Sequence, residues 1–221
     1  FFLKAKAYAQ RAGSTTTDLR MEAMRGLFDG SRTLYAHADG ALEIQEAVLF
    51  AHELGIARKA IVGGYDAWRV ADLLVDKQVD VILQRVHSLP LRDDDPVDLP
   101  FRLPALLKAK GIRFCLGYTG DMERMGARNL AFTAGTAAAY GLTREEALQA
   151  VTLDAARILG IGDRYGSLAV GKRAALFVSD GDALDMRGNV VRHAFIDGRR
   201  LDLDDHQKKL YRQYAGRYAK P

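Results

Sequence analysis

The sequence predicts an α/β fold built on a parallel sheet and followed by a small antiparallel β region. Three observations predict it. Short apolar runs alternate with amphipathic stretches over residues 32–117. The run 79–83 is almost wholly apolar, the composition of a strand covered on both faces. Beyond Gly166 the pattern shortens to brief strands separated by Gly171, Gly181 and Gly198.

Residues 33–38 read as the first strand, and residues 41–54 as a helix that closes at Gly55. Ile44, Ala47, Val48, Ala51 and Leu54 fall on one face of that helix. Residues 59–63 are the second strand. Asp66 is placed to cap the next helix, which turns Val70, Leu73 and Leu74 inward. The third strand is 79–83. The connection 87–100 carries Asp93, Asp94, Asp95 and the prolines Pro90, Pro96 and Pro100; a loop of this length in a compact domain commonly serves a site or moves. A short helix over 103–110 leads to a fourth strand at 112–117. Strand–helix units repeated in this way build a parallel sheet through right-handed crossovers.

After the fourth strand the style changes. Residues 129–140 are small and apolar, as in a helix packed closely on its neighbours. Thr143 and Glu146 form a capping box, and that helix and the next, through 155–159, end at Gly160. Short antiparallel strands are expected at 167–170, 174–178, 190–196 and 199–201. The tail 204–218 reads as a polar helix with Leu210, Tyr211, Tyr214 and Tyr218 as its packing stripe.

Composition excludes several function classes. With 221 residues, 48% of them hydrophobic, the chain can bury a substantial core. Its net charge of +4 is spread along the chain, with Lys208-Lys209 beside the acidic Asp202, Asp204 and Asp205. A nucleic-acid partner is not expected, because such proteins show a basic stripe or a recognisable module. No apolar run is long enough for a membrane span. Cys115 is the single cysteine, which excludes an internal disulfide and a cysteine-rich zinc site; it sits in an apolar run and reads as a buried, inert thiol. The first residues, Phe1 to Tyr8, have no initiator Met and no signal-peptide layout, and look like the middle of a helix. The expectation is a piece of a longer protein, cytoplasmic or exported.

The order of motifs is more specific than the composition. A Gly-Leu-Thr-Arg-Glu-Glu-Ala-Leu capped helix at 141–148 precedes Ala-Ala-Arg-Ile-Leu-Gly-Ile at 155–161. Then Gly-Ser-Leu-Ala-Val-Gly-Lys at 166–172 opens into an apolar strand. This series resembles the C-terminal half of the metal-dependent amidohydrolases, near their imidazolonepropionase-like and prolidase-like branch. The resemblance runs from Tyr35 to Leu201. It implies half of a TIM-like (β/α)8 barrel over 1–165, a return segment of a small β-sandwich over 166–203, and a C-terminal helix over 204–221. Half a barrel exposes two sheet edges, so the partner expected is the upstream half of the same protein or a second chain that completes the barrel.

What the resemblance implies for chemistry is hydrolysis, with zinc or another divalent metal activating water and a carboxylate moving protons. The ligands of such a barrel sit at the C-terminal ends of its strands. His37 matches the family's fifth-strand metal histidine; the other reading is a strand-end histidine bonding a loop. At the sixth strand, where the family usually has a histidine, Gly63 stands before Gly64. The eighth strand reads Gly117-Tyr118-Thr119-Gly120-Asp121. Thr119 is nearest the register of the family's catalytic carboxylate, and Asp121 either swings in as that carboxylate or caps the segment after it. Tyr65, Arg85 and His87 follow strand ends and would face a substrate. Arg85 either grips a substrate carboxylate or pairs with the Asp93–Asp95 run.

Two functions are weighed. One is hydrolysis of a C–N bond in a cyclic amide or peptide-like small molecule, active only once an upstream half completes the barrel and its metal site. The other is a catalytically inactive member kept as a binding or structural scaffold, favoured by Gly63 and the displaced eighth-strand aspartate. This chain by itself, with His37 as its one ligand of the usual set, is not expected to hold a catalytic metal tightly.

Overall fold

The computed structural model describes residues 1–11, 17–84, 86–120 and 123–218. Two helices come first, α1 (Phe2–Ala9) and α2 (Leu19–Phe28). The parallel region then runs β1 (Leu34–Ala38), α3 (Ala41–Glu53), β2 (Lys59–Gly63), α4 (Ala71–Asp76), β3 (Asp80–Leu83), α5 (Leu99–Ala109) and β4 (Phe114–Leu116). Helices α6 (Leu130–Ala139), α7 (Arg144–Val151) and α8 (Leu153–Ile158) follow. Strands β5 (Leu176–Ser179), β6 (Val191–Ile196) and β7 (Arg199–Arg200) and helix α9 (His206–Tyr218) complete the chain.

The first four strands form one parallel sheet in the order β1-β2-β3-β4, so β1 and β4 are its edges. Register fixes the two faces. Tyr35, Ala60 and Asp80 lie side by side, as do His37, Val62, Ile82 and Cys115 one layer higher. The intervening residues Ala36, Ala38, Ile61, Val81, Leu83, Phe114 and Leu116 pack with Ile44, Val48, Leu74, Leu103, Leu107, Ala134 and Ala147 of the helices in one core. Each leucine, isoleucine, valine or phenylalanine among them contributes about 1.5–3 kcal/mol when fully buried. The strand alternation therefore separates a helix-covered face from an inner face that carries His37.

The foot of the inner face is closed. Ile158 and Ala155 of α8 pack on Ala60, Ile82 and Cys115, and the Tyr35 hydroxyl donates to the Ile158 carbonyl at 3.2 Å. Arg113 holds Asp80 through two bonds of 2.7 and 2.9 Å. The other end, past His37, holds the C-terminal ends of the strands. That end is the mouth.

Several local expectations change. Helix α5 begins at Leu99, four residues before the expected start at 103, because Pro100 sits in its first turn, where no amide hydrogen is needed. Asp66 does not cap its own helix: its Oδ2 accepts from the Ala41 amide at the start of α3. Residues 167–170 form a turn and not a strand; Lys172 N–H bonds the Ala169 carbonyl and Arg173 N–H the Arg164 carbonyl, which takes the backbone away from any ladder. The tyrosine stripe of α9 stays exposed, with Tyr211 at 74% and Tyr218 at 83%. Helix α2 lies where the sequence pattern was weakest: Asp18 caps it, and Met24, Leu27 and Phe28 pack on Ala51, Leu54 and Ile56.

The capping box on α7 forms as its sequence implies, with the Glu146 amide on Thr143 Oγ1 at 3.2 Å and the Thr143 amide on Glu146 Oε2 at 2.9 Å. In α6 the small residues allow close approach, for a Cβ on Gly135 would run into the Leu184 backbone. Strands β5, β6 and β7 make a separate antiparallel sheet. Asp197 and Gly198, both at positive φ, turn β6 into β7. Phe177, Val178, Val191 and Ile196 remain exposed on this sheet. Among the described residues no helix is long and apolar enough to cross a membrane.

Candidate active site

The mouth is built by what stands at, or just past, the last rung of each strand. His37 is exposed on β1 and faces inward by register, level with Val62 and not with Gly63. Gly63, which stands where the family's sixth-strand histidine is expected, pairs instead with Ala38 on the helix-covered side. Its conformation explains the glycine. With φ +113°, a Cβ there would meet Asp39 Oδ1 at 2.7 Å and the Ala38 carbonyl at 2.9 Å. The Asp39 carboxylate thus occupies the space that a side chain at position 63 would need, and it accepts from the Tyr65 amide at 3.3 Å.

Past β4, the Gly117 amide donates to Leu83 O at 3.0 Å, so the ladder continues one residue. Thr119 lies two residues further on and is partly exposed. Arg85 and Asp121 lie outside the described residues.

Two expected substrate contacts are committed elsewhere. Tyr65 is 6% exposed and packs in the helix-side core. Its hydroxyl donates to Asp95 Oδ2 at 2.8 Å and accepts from the Leu91 amide at 3.2 Å. Burial pushes the Tyr65 phenol up, and the Asp95 bond adds to the rise, so it stays protonated and donating. The glycine pair before it, Gly63 and Gly64, is at positive φ. His87 bonds Thr136 Oγ1 of α6 through Nε2 at 2.7 Å, and its ring sits 6.2 Å from that of Phe101 on α5. No contact among the described residues brings it to His37.

The loop after β3 is fastened at the rim by charge. Asp66, 4% exposed, takes both guanidinium nitrogens of Arg92, and Arg69 Nε bonds its Oδ1 at 3.1 Å. Asp95 pairs with Arg92 at 3.3 Å and Arg69 at 3.5 Å. The Asp93–Asp95 run thus meets Arg92 and Arg69 through its last member.

Sequence reasoning passes over Gln84, which was legible as a continuation of the inner-face alternation two residues after Ile82, and over Asp39, whose carboxylate fills the space beside Gly63. The Gln84 amide donates to the Gly63 carbonyl at 3.3 Å, which extends β3 by one rung.

The described residues of this chain do not by themselves fit a metal. Among them no group of three or more His, Cys, Asp or Glu side chains is arranged to hold one, and a catalytic zinc needs three protein ligands.

The amidohydrolase family model matches residues 100–201. An amidohydrolase from Thermotoga maritima is similar over 91% of this chain and 52% of its own length, at 30% identity and a TM-score of 0.77. A prolidase complexed with N-methylphosphonate-L-proline covers 82% of this chain and 48% of its own, at 22% identity and a TM-score of 0.58. An adenosine deaminase from Xanthomonas campestris with bound zinc covers 91% and 55%, at 22% identity and a TM-score of 0.56. No curated protein matches the chain. The architecture is that of one half of a TIM-like barrel with part of a sandwich sheet. The chain belongs to the amidohydrolase superfamily, and it spans about half the length of the solved structures it resembles.

Proposed function

We propose that this chain supplies the C-terminal half of a hydrolase that cleaves a C–N bond in a small molecule, a cyclic amide or a peptide-like compound. The observation that carries the reading is His37, exposed on the inner face at the C-terminal end of a parallel strand, where barrels of this class do their chemistry. The prolidase and the zinc-bound deaminase among the solved relatives support the reaction class at the level of fold. Upstream strands complete the barrel, cover the edges at β1 and β4, and bring the ligands not found among the described residues; His37 then joins them. Thr119, just past β4, lines the substrate side.

A second reading, a scaffold without turnover, is favoured by Gly63, whose φ of +113° and proximity to Asp39 leave no room for a ligating side chain. Metal analysis and hydrolysis assays of the full-length protein separate the two. Bound divalent metal with turnover of a cyclic amide or an Xaa-Pro dipeptide supports the hydrolase. A metal-free protein inert on both classes supports the scaffold.

A further inference from the structure

Gln84 is the anomaly of the mouth. Its side-chain nitrogen is shut off from solvent and has no hydrogen-bond partner among the described residues. A buried amide donor left unpaired is costly, and natural proteins seldom leave one without a use. Its place is set by register. The Gln84 amide bonds Gly63 O and the Gly117 amide bonds Leu83 O, so the ladder puts Gln84 between Gly64 and Gly117 on the top rung. By alternation its side chain lies on the inner face, one layer above His37 and Ile82.

Both lateral neighbours lack a side chain, and each has a reason beyond chance. A Cβ on Gly117 would meet Ile82 Cγ2 at 3.0 Å on the inner face, whereas Gly64, at φ +76°, would turn a Cβ to 2.7 Å from Val81 Cγ1 on the helix-covered face. Trp68 Nε1 is also buried and unpaired, but its ring packs with the helix-side core, away from the mouth.

We propose that Gln84 is a substrate-positioning residue of the mouth, its side-chain N–H donating to an acceptor oxygen of the bound molecule. The oxygen belongs to a carbonyl of a cyclic amide or to a carboxylate. This rests on the reading of the mouth as the active site.

The test uses the 15N-labelled full-length protein, titrated with 2-pyrrolidinone for the carbonyl and N-acetylglycine for the carboxylate. The side-chain NH2 signals of Gln84 are assigned by their loss in Gln84→Met, and the ring signals of His37 by their loss in His37→Ala. One of the two probes moves the Gln84 NH2 signals saturably, and Gln84→Met weakens that probe about tenfold, the effect of one lost hydrogen bond. Which probe acts identifies the oxygen. A probe that saturates the His37 ring signals while leaving the Gln84 NH2 signals in place overturns the role of Gln84 and spares the mouth. Silence of both residues toward both probes overturns the role and the site together.

Discussion

Arg92 grips Asp66 with two nitrogens, Nη1 to Oδ2 at 3.0 Å and Nη2 to Oδ1 at 2.6 Å, and so ties the long loop after β3 to the turn after β2. Asp66 also receives the Ala41 amide, which joins the start of α3 to the same point. One carboxylate organises the rim on the helix side.

The consequence is a pH-dependent contribution to stability. Burial pushes the Asp66 carboxyl up, but the Arg92 hydrogen bonds and charge, the Ala41 amide and Arg69 outweigh it and hold it below the usual carboxylate range. A lowered folded pKa means that the contribution is present above the unfolded value of about 3.9 and is lost as pH falls through the folded value. Asp66→Asn is expected to destabilise by about 2 kcal/mol at neutral pH, below the cost of breaking a fully buried pair because Arg92 is 40% exposed. Denaturant titrations should show the gap from wild type narrowing below about pH 4. A gap that is constant across that range would remove the ionic explanation.

Gly63 gives a prediction of opposite intent, an attempt to restore a family ligand. Gly63→His places a Cβ against Asp39 and the Ala38 carbonyl at φ +113°. Strain of this kind costs about 1–3 kcal/mol before any clash is counted. Thermal melts should show Gly63→Ala and Gly63→His both less stable than wild type, with no gain in metal affinity for the histidine. A Gly63→His protein that is as stable as wild type would mean that the backbone relaxes freely there.

The parallel sheet was readable because its strands are apolar runs that alternate with amphipathic helices. The four predicted strands all contain the observed ones, and their sheet edges are β1 and β4. What periodicity does not carry is where a ladder stops. Residues 167–170 look like a strand, but their backbone bonds lie in turns. Tyr65 and His87 follow strand ends in the sequence, as site residues do, but Tyr65 is buried with its hydroxyl on Asp95 and His87 is bonded to Thr136. Gln84 escaped notice for the converse reason: β3 continues one rung past its apolar run, and a polar residue there looks like the start of a loop. His37 was legible because its register follows directly from the alternation of Leu34, Ala36 and Ala38.

Cys115 should behave as a reporter of unfolding. It is 4% exposed beneath α8, and burial first, then the charges of Asp80 and Asp154, push its thiol up to about 12. The thiolate is therefore scarce at mild pH. Thiol reagents at pH 8 should label it slowly in the native protein and at once in denaturant. Rapid native labelling would mean that α8 does not stay on the foot of the sheet.

The most direct test of His37 as the centre of the site is the kinetics of His37→Ala in the full-length protein, on a cyclic amide or Xaa-Pro dipeptide that the wild type hydrolyses. His37 is exposed on its strand, so its loss should leave the melting temperature nearly unchanged. Removing a group that ligates a metal or moves a proton should cost at least about 100-fold in kcat/KM. Unchanged turnover with an unchanged fold would contradict that role and return His37 to a strand-end histidine.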